Sequence, residues 1–175
     1  MSAPEVPMTT GVRFLKAEGV AFTPCFYAYE EHGGTRRASQ ELGVDEHAVI
    51  KTLLFQTVDR KPIVVLMHGD REVSTKQLAR ALNVRSVAPC EVSTAQRLTG
   101  YSVGGISPFG TRIALSIVAE RTIFDLPEVF INGGKRGFLV KISTKEIDRV
   151  LRPMKMKIGI RDTGGEGKGH AMNRG

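Results

Sequence analysis

The stretch Val49-Ile50-Lys51-Thr52-Leu53-Leu54-Phe55-Gln56-Thr57-Val58-Asp59-Arg60-Lys61-Pro62-Ile63-Val64-Val65-Leu66-Met67 decides the fold. Two apolar runs flank a short polar turn. Continuous hydrophobicity bounded by turn residues reads as buried strands, here Val49–Val58 and 62–67. One residue breaks the pattern. Lys51 sits where a hydrophobe is expected. On a strand Val49, Lys51, Leu53 and Phe55 share one face, and Ile50, Thr52 and Leu54 share the other. A lysine so placed either snorkels at a sheet edge or projects into a pocket and binds an anion.

Upstream, Thr9 or Thr10 can cap a first helix that carries Val12 and Leu15 and ends at Gly19. Val20–Tyr29 reads as a strand interrupted at Pro24, and 36–42 as a short helix stopped by Gly43. Asp45 can cap one further turn. Downstream, Ser74-Thr75-Lys76-Gln77, Ser93-Thr94-Ala95-Gln96 and Ser143-Thr144-Lys145-Glu146 each read as a capping box opening a helix. Strands are expected over 111–118, 129–132 and 138–142, the last two joined by Gly133-Gly134-Lys135-Arg136-Gly137. Hairpins with single helices between them predict an α+β domain with a mixed sheet, not a regular βαβ repeat. The expected domain covers 1–158. Residues 159–175, Gly-rich and poor in apolar residues, are expected to be a disordered tail.

The chain has 175 residues, about one domain, with 41% hydrophobic and 25% charged residues. These proportions are ordinary for a globular protein. No stretch reaches the roughly 18 apolar residues of a membrane helix, and no leader is recognisable near Met1. Cys25 and Cys90 stand outside any Cys-x-x-Cys pattern and read as free thiols in a reducing cytoplasm. His32, His47, His68 and His170 show no metal-ligand spacing to either cysteine. The net charge of +7 favours a polyanionic partner, nucleic acid above all.

The second informative run is Gly104-Gly105-Ile106-Ser107-Pro108-Phe109-Gly110. It is either ordinary turn chemistry or a nest of backbone N–H groups that stabilises an oxyanion in acyl transfer. The run 133–137 is either a long hairpin turn or a cationic rim, with Lys135 and Arg136, for phosphate. His68 is a strand-end histidine or a general base. No activating group stands near either cysteine in the sequence.

Lys51-Thr52 with its flanking hydrophobes, Thr99-Gly100-Tyr101-Ser102-Val103-Gly104-Gly105-Ile106-Ser107-Pro108, and Ile131-Asn132-Gly133-Gly134-Lys135-Arg136-Gly137 together resemble the YbaK/EbsC family. Its members are free-standing relatives of the editing domain in bacterial prolyl-tRNA synthetase. The similarity runs from about Val12 to Leu151. It implies an α+β fold with a mixed, barrel-like sheet flanked by helices, and deacylation of mischarged aminoacyl-tRNA, typically Cys-tRNA(Pro). It also implies catalytic roles for Lys51 and the backbone of Gly104, Gly105 and Ile106. Substrate contacts fall to Tyr29, Thr52, Ser107, Pro108, Gly133, Gly134, Lys135 and Arg136. The implied partners are aminoacyl-tRNA and prolyl-tRNA synthetase. In Cys-specific members the substrate's own thiol attacks its carbonyl; Ala-specific relatives use water. Neither route needs a metal or an organic cofactor. One departure stands out. Two positions after Gly137 the family often carries an acid, and here the residue is Leu139. Two rival readings are a tRNA- or synthetase-binding module without turnover, and a general nucleic-acid binder using the tail. The second lacks aromatic residues over 159–175.

Overall fold

The computed structural model describes residues 4–161. Its centre is the predicted hairpin: β2 (Val49–Thr57) and β3 (Pro62–His68) pair antiparallel, Lys51 opposite Met67 and Leu54 opposite Val64. Around it run β1 (Phe22–Phe26), β4 (Arg71–Val73), β5 (Val87–Pro89), β6 (Ser116–Glu120), β7 (Glu128–Lys135), β8 (Phe138–Ser143), β9 (Met154–Met156) and β10 (Gly159–Arg161). The main sheet has the order β1-β8-β7-β2-β3-β6-β9, with β5 also pairing β2. β2/β7, β3/β6 and β6/β9 are parallel and the other pairs antiparallel. The expected mixed sheet flanked by helices is present. Its path ends at β1 and β9, so the described sheet is open rather than closed into a barrel. No described helix is long and apolar enough to cross a membrane.

Among the described residues five α-helices pack on it: α1 (Thr10–Ala17), α2 (Gly34–Leu42), α3 (Thr75–Ala81), α4 (Val92–Thr99) and α5 (Thr144–Leu151). Thr9, Ser74 and Ser143 cap α1, α3 and α5 through their hydroxyls, and Asp45 caps a 3-10 turn at Glu46–Ala48. Pro24 lies within β1, which continues through it because an edge strand tolerates the missing donor.

Several expectations are corrected. α4 starts at Val92 with Glu91 as N-cap, so Ser93 lies inside the helix and the box read there is not used. β7 runs through Gly133 and Gly134 to Lys135 by means of a bulge between Asn132 and Lys135; only Arg136-Gly137 turns. Residues 111–115 are irregular ahead of β6. Gly159–Arg161, assigned to the tail, is β10 and pairs with β4. The rest of the expected tail lies outside the described residues.

Alternation on β2 sorts the core. Ile50 and Leu54 enter the principal cluster with Val64, Leu66, Ile106 and Phe109. The opposite face holds two smaller groups, Leu53 with Phe55, Val65 and Met67, and Val49 with Ala38 and Leu139. Lys51 lies between these two groups in sequence.

Candidate active site

The sheet divides at Lys51. On the edge of β2 away from β3, β7 pairs at Val49 and Ile50, and β5 pairs at Phe55 to Thr57. β2 is thus a central strand and Lys51 is 3% exposed, which removes the edge-snorkelling alternative. Its Nζ donates to the Arg71 carbonyl, just past the β3–β4 turn. A buried ammonium requires such partners, because desolvation is costly otherwise.

Val49 faces Phe130 and Ile50 faces Ile131 in the parallel β2/β7 register; the next residues along are Lys51 and Asn132. Asn132 is 1% exposed. Its Nδ2 donates to the Gly104 carbonyl (3.3 Å) and its Oδ1 accepts from the N–H groups of Gly134 (2.6 Å) and Lys135 (3.2 Å). One side chain therefore fixes the glycine loop to the β7 bulge. Sequence reading quoted Asn132 but gave it no role. Its signal was an asparagine inside a strand, where that residue is disfavoured.

Tyr29 completes the wall. A Cβ on Gly104 would lie 2.7 Å from Tyr29 Oη, and Gly104 has φ +92°, so only glycine fits. The Arg136 guanidinium lies 5.2 Å from the Tyr29 ring centre, and its Nε donates to the Val103 carbonyl (2.9 Å). Tyr27 instead packs against the Val49–Leu139 group, which separates the roles of the two tyrosines.

The loop differs in detail from expectation. Gly105 does not need positive φ; it needs space, since a Cβ there would meet the Lys135–Arg136 backbone at 2.8 Å. Its N–H already donates to the Ser102 carbonyl (2.9 Å), so it is committed within the loop rather than aimed at a ligand. Ser107 is fully buried and its Oγ accepts from the Phe109 N–H, while Pro108 is buried beside it. Gly133 lies under the Phe138 ring and accepts from Thr9 Oγ1 through its carbonyl; Gly134 abuts Tyr101 and Thr9. Lys135 and Arg136 are exposed. Thr52 is 1% exposed on the β2 face opposite Lys51, and its hydroxyl has no hydrogen-bond partner. Tyr29 and Asn132 thus meet at Gly104, and Lys51 lies on the neighbouring strand one residue past Ile50, with its ammonium on the Arg71 carbonyl; Ser107, Pro108 and Thr52 pack inside.

The aminoacyl-tRNA editing domain family matches residues 31–150. The chain belongs to that family. It is an aminoacyl-tRNA deacylase, and aminoacyl-tRNA is its substrate. An Enterococcus faecalis protein named "Putative Cys-tRNA(Pro)/Cys-tRNA(Cys) deacylase EbsC" is 25% identical over 140 residues, covering 79% of this chain and 85% of that one. The proline–tRNA ligase of Streptococcus equi subsp. equi is 32% identical over 97 residues, 55% of this chain and 16% of the ligase. A crystal structure titled as a "putative trans-editing enzyme for prolyl tRNA synthetase" superposes with a TM-score of 0.78 at 18% identity, over 89% of this chain and 99% of that one. That last likeness establishes the fold.

This editing domain also gathers residues that sequence spacing kept apart. His47 and His68 stack at 3.6 Å and 8°. His47 Nδ1 lies 2.8 Å from Asp70 Oδ1. His68 Nδ1 donates to the His47 carbonyl, and its Nε2 lies 2.8 Å from Thr122 Oγ1. The ligand-type atoms of His47, His68 and Asp70 fall within 4.8 Å of one another, but the hydrogen bonds just given account for this grouping. Burial lowers the His68 pKa, partly offset by its bond to the His47 carbonyl. Burial works to raise the Glu120 carboxyl. The Thr122 N–H and O–H and the N–H groups of Ile158 and Gly159 outweigh it and hold the group below its ordinary value. Burial raises both thiols, Cys25 and Cys90, so neither is activated.

Proposed function

We propose that this deacylase clears cysteine mischarged onto tRNA(Pro), with the substrate's thiol as nucleophile. One observation carries the reading. The side chains at the glycine loop, Asn132, Tyr29 and Arg136, with Lys51 on the neighbouring strand, include no activated protein nucleophile, and both cysteines are held as thiols. An aminoacyl ester is already reactive, so positioning and charge stabilisation supply most of the rate. Lys51 holds the terminal phosphate or the ester end. The Gly104 and Ile106 N–H groups polarise the carbonyl, with Asn132 fixing the loop that carries them. The thiol sulfur bonds to the carbonyl carbon, the carbon–oxygen bond to the ribose breaks, and the thiol proton passes to the departing ribose oxygen, which leaves as a hydroxyl. Water then opens the cyclic thioester. Prolyl-tRNA synthetase is the natural partner for such trans editing, and the ligase similarity supports it.

Leu139 favours a second reading. It is 1% exposed and packs with Val49 and Ala38, so an apolar group stands where relatives often carry an acid. Leu139 stands opposite Asn132 in the β7/β8 register, and an apolar residue there suits alanine, hydrolysed by a bound water. Single-turnover deacylation of matched Cys-, Ala- and Ser-charged tRNA(Pro) separates the two. Thiol assistance requires Cys-tRNA to be cleaved and Ser-tRNA to be spared, with a Cys25→Ser, Cys90→Ser variant fully active. Comparable rates on Cys- and Ser-tRNA would end the thiol mechanism.

A further inference from the structure

At the ends of β3 and β6 lies a cavity of about 360 Å³, lined by His47, Arg71, Glu120, Arg121, Thr122 and Lys157 among others. It falls within the size range of small-ligand sites. It lies close to the candidate active site, because the Arg71 carbonyl accepts from Lys51 Nζ. None of its side chains has a part in the mechanism above.

Its charge is lopsided once partners are assigned. Glu120 Oε1 accepts from the N–H groups of Ile158 and Gly159, and its Oε2 from the N–H and hydroxyl of Thr122. Four donors saturate that carboxylate. Asp70 is engaged by His47 and lies 4.0 Å from an Arg71 guanidinium nitrogen, so its single charge is shared between the two. Asp125 is the remaining acid of the lining, which also holds Arg71, Arg121 and Lys157. A fourth cation is adjacent: Arg161 in β10 stands directly opposite Arg71 in β4. Like charges opposed across a strand pair are destabilising, and an anion between them relieves the repulsion. The flat surface comes from His47. One face of its ring is covered by His68, Asp70 fixes its orientation, and the side chain remains 31% exposed. A locked ring is a ready platform for a nucleobase.

We propose that this cavity is a nucleotide subsite: Arg71, Arg121 and Lys157 hold phosphates of the RNA strand leading to the esterified end, and His47 stacks on a base of that strand. The inference rests on the deacylase reading only for the identity of the RNA. The site places the strand so that its 3′ end reaches Lys51.

The test is binding of uncharged tRNA(Pro) and of the oligonucleotide ACCA across a salt series, alongside single-turnover deacylation. Removing two cations (Arg121→Gln with Lys157→Gln) is expected to weaken binding about 10-fold at low salt, and to flatten the log–log salt slope by about 0.7 per lost phosphate contact. The rate at saturating charged tRNA should stay within about 3-fold, since uniform binding is what has been removed. His47→Ala is expected to weaken ACCA binding at least about 5-fold with the salt slope unchanged, and His47→Phe to restore it. A control with the same charge removed elsewhere, Lys16→Gln with Lys145→Gln, should bind like wild type. Arg71→Gln substitutes for the double variant if that variant unfolds early. Unchanged affinity and slope in the cavity variants, or an equal loss in the control, would overturn the subsite. If wild type cleaves no charged tRNA while the cavity variants still lose RNA affinity, the deacylase reading fails and the subsite stands.

Discussion

Lys51 concentrates the argument at the scale of single residues. Its burial among hydrophobes means that charge and volume can be separated. Lys51→Met keeps the volume and removes the ammonium, and replacing a buried charge by a well-packed apolar group is often neutral or stabilising. The expected result is a thermal midpoint equal to or above wild type, with deacylation down by roughly 100-fold or more, the scale of losing one electrostatic contact in the transition state. A folded Lys51→Met enzyme with wild-type turnover would remove the lysine from the site. Gly104→Ala tests the wall opposite. With φ +92° and Tyr29 Oη 2.7 Å from the new Cβ, the loop must move away from Asn132. Turnover is expected to fall by about 100-fold, with tRNA affinity changed far less, as measured by kcat against KM. Lys51 stood out in the chain because it breaks an apolar run, and Gly104 because it opens a glycine pair ahead of Ile-Ser-Pro; Tyr29 gained its site role only through the family resemblance. Asn132 was harder to see, since its role depends on a bulge. The His47–His68–Thr122–Glu120 string was not legible at all, because it joins residues 21 and 54 positions apart through tertiary contacts.

Secondary elements differ in how far the sequence announces them. The β2–β3 hairpin and the caps at Thr9, Ser74 and Ser143 are local signals and stand in the structure as read. β4, β5, β9 and β10 have three residues each, too few for any periodicity, and exist because neighbouring edges recruit them. Two caps allow a comparison. Thr9 accepts from the Val12 N–H and also donates to the Gly133 carbonyl at 2.6 Å, tying α1 to the β7 bulge. Ser74 caps α3 by accepting from the Gln77 N–H. Thr9→Ala and Ser74→Ala should each cost about 1 kcal/mol in denaturant unfolding. Only Thr9→Ala should also slow deacylation, because only that cap reaches the strand that holds Asn132. Equal turnover in both variants would break the link between α1 and the site.

At the scale of the whole molecule, two buried groups among the described residues, His68 and Glu120, are sensitive to acid. His68 has a lowered pKa in the fold, so the unfolded chain binds the proton first, near 6.5. Stability is therefore full above that pH and declines as pH falls below it. Glu120 also has a lowered pKa, and its contribution is present above about 4.5 and lost as pH falls through the folded value. Thermal midpoints should drop in two windows on acidification; His68→Gln should erase the upper one and Glu120→Gln the lower. The topology has a cost of another sort. β1 pairs with β8, Phe22 opposite Ile142, so the edge strand made early must wait for a partner synthesised about 120 residues later. During that interval β1 is an open template for strangers, and Pro24 is what makes it a poor one. Pro24→Val should leave the native enzyme active yet raise aggregation during refolding, read by light scattering against chain concentration. The residue that looks like a flaw in a strand then acts as a safeguard for an unfinished chain.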